Sequence, residues 1–61
     1  MNDQEIIDNA PEGATHYDGV EFLNVDSNAY WRITRNKWVA ISELVLEPNT
    51  RSLADIKRIV E

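Results

Sequence analysis

The stretch from Ala29 to Glu43 constrains this chain more than any other. It holds an aromatic extended run, Ala29-Tyr30-Trp31-Arg32-Ile33-Thr34-Arg35, then Asn36-Lys37, then Trp38-Val39-Ala40-Ile41. β-Branched and aromatic residues suit a pleated surface, and Asn tolerates the positive φ of a tight hairpin turn. The pattern predicts a β-hairpin turning at Asn36-Lys37, with Arg35 opposite Trp38 and Ile33 opposite Ala40. Strand alternation then gives one face with Trp31, Ile33, Arg35, Trp38 and Ala40. The other carries Tyr30, Arg32, Thr34, Val39 and Ile41. In this register Arg35 would lie over Trp38 as a cross-strand cation–π pair, worth about 0.5–1 kcal/mol when exposed.

The flanking segments supply the rest of a sheet. Thr15-His16-Tyr17 forms a brief strand, Asp18-Gly19 is a strong turn pair, and Val20 to Val25 is a β-rich run. Asp26-Ser27-Asn28 is turn chemistry, because Asp and Asn side chains bond nearby backbone groups. Leu44-Val45-Leu46 extends the last strand or starts a connector that Pro48-Asn49 stops. Ser52 then reads as a helix N-cap with Asp55 completing a weak capping box. Leu53, Ile56, Ile59 and Val60 share one helical stripe, and Lys57 and Arg58 complement the dipole at the helix end. Such a short helix is unstable alone and must pack on the sheet.

The expected architecture is therefore α+β. A three- or four-stranded antiparallel meander over 14–46 carries a C-terminal helix, 52–60, packed on one face. Residues 1–61 form a single domain, and 1–10 an acidic leader for which a short helical turn and a frayed terminus are both open. Pro11 ends any helix there.

Size and composition narrow the functions. A chain of 61 residues buries only about 60% of its unfolded surface. With no cysteine and a single histidine, His16, neither a disulfide nor a zinc cluster can staple it. Stability must come from packing or self-association, and an open strand edge offers a route to a homodimer. There is no apolar run of the length that spans a bilayer. The acidic start lacks the basic region of a signal peptide. A soluble, unexported, cytoplasmic protein is expected, with no membrane partner.

Catalysis is not expected. No serine pattern accompanies His16, and a chain this small has little volume for a cleft around paired carboxylates. Gly13 and Gly19 are the only glycines, so no glycine-rich phosphate loop exists. No cofactor or metal is implied. Binding is the better reading. Trp, Tyr and Arg dominate interface hot spots, which makes Tyr30, Trp31, Arg32, Arg35, Lys37 and Trp38 the candidate partner-binding residues. The competing reading is that both tryptophans fill the core of a small domain.

Charge is uneven. The net charge is −5, yet residues 1–26 hold seven acids and no Lys or Arg, whereas 27–61 are net +2. The cations and aromatics of the hairpin suit single-stranded nucleic acid. The overall acidity argues against that. The acidic first segment also permits, less strongly, an acidic DNA mimic.

The run Ala10-Pro11-Glu12-Gly13-Ala14-Thr15-His16-Tyr17 resembles the PEGATHY segment of small accessory proteins of tailed bacteriophages and prophages. In those proteins an aromatic hairpin commonly follows, here Tyr30-Trp31-Arg32 through Asn36-Lys37 to Trp38. The resemblance spans about residues 10–41, and Asn-Lys stands where a Gly-containing turn is frequent. It implies a phage-encoded protein in the bacterial cytoplasm that binds and modulates a host protein. Read physically, Pro11 and Gly13 set a tight approach, Thr15-His16-Tyr17 forms an edge strand beside 20–25, and Tyr17 adds apolar area to the core.

Overall fold

A computed structural model describes residues 2–61; Met1, the first residue of the expected leader, lies outside them. The elements run α1 (Asp3–Asn9), β1 (His16–Tyr17), β2 (Phe22–Asn24), β3 (Ala29–Arg32), β4 (Lys37–Ala40), β5 (Arg51–Ser52) and α2 (Leu53–Val60). The strands make one antiparallel sheet in the order β4-β3-β2-β1-β5. The α+β meander with a C-terminal helix is thus the architecture, extended by a fifth strand and an N-terminal helix.

The fifth strand changes the place of β1. It is not an edge strand: β5 pairs along its outer side, Tyr17 with Arg51 and His16 with Ser52. Two residues directly before a helix carry no alternation of their own, so β5 has no strand signature. Ser52 does occupy the α2 N-cap, but its side chain makes no capping bond. The helix is tied down instead by the Leu53 N–H, which donates to the Thr15 carbonyl at 2.9 Å.

Helix α1 forms because Asn2 caps it, its side chain accepting from the Glu5 N–H at 2.9 Å. Asp3 and Glu5 favour the positive end of the dipole. Pro11 forces Ala10 to extended geometry, φ −66° and ψ 125°, and the helix stops. Its Ile6 is buried and joins Phe22, Leu53 and Ile56 in the core cluster.

Register and alternation sort the sheet. Tyr17, Phe22, Ala29, Trp31, Trp38 and Arg51 share one face, and His16, Leu23, Tyr30, Arg32, Lys37 and Val39 the other. Both helices contribute to the cluster on the Phe22 face, against which Tyr17, Trp31 and Trp38 also pack. Leu23 points the other way yet is only 4% exposed.

The hairpin register corrects the sequence expectation. The turn is not Asn36-Lys37, and Lys37 instead closes the ladder opposite Arg32. Trp38 stands opposite Trp31, not Arg35, and the two indoles meet edge-to-face with centroids 5.4 Å apart. The expected Arg35–Trp38 pair is replaced by this aromatic one. The partner of Trp38 moves by four residues, an even number, so Trp31 and Trp38 still share a face, as do Tyr30, Arg32 and Val39.

Candidate hairpin-tip surface

All three hairpins close with loops of the same length, at 18–21, 25–28 and 33–36. The latter two end on an asparagine in the left-handed region, Asn28 at φ 49° and Asn36 at φ 50°. Asn supports this conformation at lower cost than most residues. In the first loop Asp18 accepts from the Val20 and Glu21 N–H groups at 2.8 and 2.6 Å. That holds the loop closed and leaves Val20 83% exposed. At 33–36 the Arg35 N–H donates to the Arg32 carbonyl at 3.1 Å, and the turn lifts Ile33 into solvent, 78% exposed.

The structure separates the six candidate residues into two groups. Tyr30, Trp31 and Trp38 are half-buried, whereas Arg32, Arg35 and Lys37 are exposed. Trp38 is further committed. Its indole N–H donates to the Glu12 carbonyl at 3.1 Å, pinning the Pro11–Gly13 loop over β4. The Trp31/Trp38 face is therefore not an open platform. The continuous exposed stretch is the tip itself, residues 32–37.

The electrostatics of the tip are unusual for an acidic chain. Arg51 grips Asp3 through two bonds of 2.7 and 3.2 Å, and Arg58 pairs with Asp55. No carboxylate pairs with Arg32, Arg35 or Lys37 among the described residues. Arg32 reaches only the Tyr30 hydroxyl, at 3.5 Å. Arg32 and Lys37 are direct cross-strand partners, an arrangement in which like charges repel.

Beside the tip lies a groove of about 820 Å³. Tyr17, Phe22 and Trp31 line it, and Val20 and Ile33 stand at its sides. Sequence reasoning singled out the cations but missed Ile33, which the expected register placed within a strand. The matching signal was Asp26-Ser27-Asn28: a loop ending on Asn four residues after the strand, repeated at Asn36.

The PEGATHY-like residues are spent on structure. Gly13 takes φ +92°. Thr15 bonds the Leu23 carbonyl through its N–H at 2.8 Å, and its hydroxyl accepts from the Val25 N–H at 3.1 Å. His16 Nδ1 lies 2.9 Å from the Thr15 hydroxyl. Ser52 sits across the ladder from His16, but no hydrogen bond joins their side chains. Tyr17 packs on Phe22 with ring centroids 4.8 Å apart. Among the described residues no acidic or histidine cluster is placed to hold a metal ion, and no helix is long and apolar enough to cross a membrane. No protein-family model, curated protein or solved structure matches the chain.

Proposed function

We propose that this chain is a phage- or prophage-type accessory protein that acts in the bacterial cytoplasm by binding a host protein at the hairpin tip. The observation that carries this reading is Ile33, a large apolar side chain 78% exposed and flanked by cations without carboxylate partners. Val20, 83% exposed, borders the same groove as Ile33, an apolar rim of the kind that marks interaction sites, and Arg is enriched at interface hot spots. The phage origin rests on the Ala10–Tyr17 resemblance alone.

Nucleic-acid binding has less support. Stacking on bases needs open aromatic faces, whereas Trp31 and Trp38 pack on each other and on the core. DNA mimicry has less again, because Asp3 and Asp18 are engaged in bonds that hold the fold.

The test replaces Ile33 with a photo-crosslinking residue and irradiates the protein in bacterial lysate. A discrete protein adduct is expected, and it should be lost when Arg32→Ala and Arg35→Ala are combined. No adduct, or adducts unchanged by the double substitution, removes the tip as a docking site.

A further inference from the structure

The cross-strand pairing of Arg32 with Lys37 is a local cost that the fold leaves uncorrected. Like charges directly opposite on a ladder destabilise it. The chain carries 11 acidic residues, yet none is bonded to this pair. The ion pairs Arg51 with Asp3 and Arg58 with Asp55 show that the chain does place carboxylates beside arginines elsewhere. Arg35 adds a third cation within the 33–36 loop, and Ile33 lines the groove together with Arg32.

Resting on the tip-docking reading above, we propose that the partner's contact segment is an acidic, apolar-bearing stretch of polypeptide. One of its carboxylates seats between Arg32 and Lys37, and a neighbouring apolar side chain packs against Ile33 at the mouth of the groove. Charge complementarity supplies the first contact: a carboxylate between two guanidinium or ammonium groups gains charge-assisted hydrogen bonds and relieves their repulsion. The exposed Ile33 favours a polypeptide, whose aliphatic side chain can cover it in the same contact that seats the carboxylate. The remaining surface of the molecule is net negative and disfavours an acidic partner everywhere else, which confines docking to the tip.

The decisive substitution is Lys37→Glu. It turns the repelling pair into an opposite-charge pair, so the thermal midpoint should stay the same or rise, while the seat for a carboxylate is destroyed. The probes are short synthetic peptides of matched apolar content carrying either glutamates or lysines, and a single-stranded oligonucleotide of similar length. Binding is followed by amide chemical shifts. The glutamate peptide should shift the amides of residues 32–37, and its affinity should fall about tenfold or more in Lys37→Glu.

Equal binding of the lysine peptide, tighter binding of the oligonucleotide, or no tip shifts with any probe overturns the proposal. The two readings fail separately. A protein adduct at position 33 that survives Lys37→Glu leaves tip docking standing and removes the acidic partner. Absence of any adduct removes tip docking itself.

Discussion

Gly13 shows how one position can hold a loop and a tryptophan together. At φ +92° an L side chain is strained, and an added Cβ would lie 3.4 Å from Asn24 Nδ2 and 3.8 Å from Trp38 Nε1. Gly13→Ala should cost about 1–2 kcal/mol from the backbone alone, read as a lowered urea midpoint with an unchanged slope. Asp3 is the other telling position. The hydrogen bond from Arg51 holds its carboxyl below the usual range, ahead of an opposing desolvation and a further attraction to the same charge. A depressed folded-state pKa means that the unfolded chain takes up the proton first as pH falls. The pair's contribution is therefore present above the ordinary Asp range, about pH 4, and is lost as pH drops through the folded value. Thermal melts of the wild type and Asp3→Asn should differ at neutral pH and converge in acid. A gap that persists at low pH would show that the carboxylate charge is not its source.

The hairpin loops carry a sharper lesson about reading strands from sequence. Alternation correctly grouped Trp31 with Trp38 and Tyr30 with Val39, because faces survive any even slip. It could not fix the register, since Asn36 suits a two-residue turn and the end of a longer loop equally well. What decided between them is tertiary: the longer loop brings the two indoles into contact and aims Trp38 at the Glu12 carbonyl. That carbonyl comes from a segment whose fold no local pattern predicts. β5 was illegible for the same reason, being two residues whose pairing partner lies far back in the chain. The α2 stripe was partly legible: Leu53 and Ile56 are buried, while Ile59 is 65% exposed. If Asn36 serves the loop through its left-handed φ, Asn36→Gly should stay within about 0.5 kcal/mol of wild type. Asn36→Val should lose about 1–2 kcal/mol. Equal stabilities of the two variants, measured by chemical denaturation, would mean that the loop refolds around the substitution.

The molecule as a whole runs on a thin margin. A chain of this size rarely gathers more than about 3–5 kcal/mol from one core, and Ile56, fully buried, lies at the centre of its cluster. Ile56→Ala should cost about 2–5 kcal/mol, enough to leave much of the chain unfolded by circular dichroism at room temperature. Ile59→Ala, on the exposed side of the same helix, should change stability by less than about 0.5 kcal/mol. Ile33 is 78% exposed and outside the core cluster, so Ile33→Asp should keep the thermal midpoint while abolishing binding of the glutamate peptide. The interior position of β1 governs the timing of assembly. With β2 on one side and β5 on the other, and with Thr15 holding the first N–H of α2, the early part of the chain cannot finish its sheet until Arg51–Val60 has been synthesised. Helix α1 and the hairpins would meanwhile wait with Phe22 and Ile6 uncovered. Folding therefore waits on Arg51–Val60, and a product cut short before them would stay open to proteases.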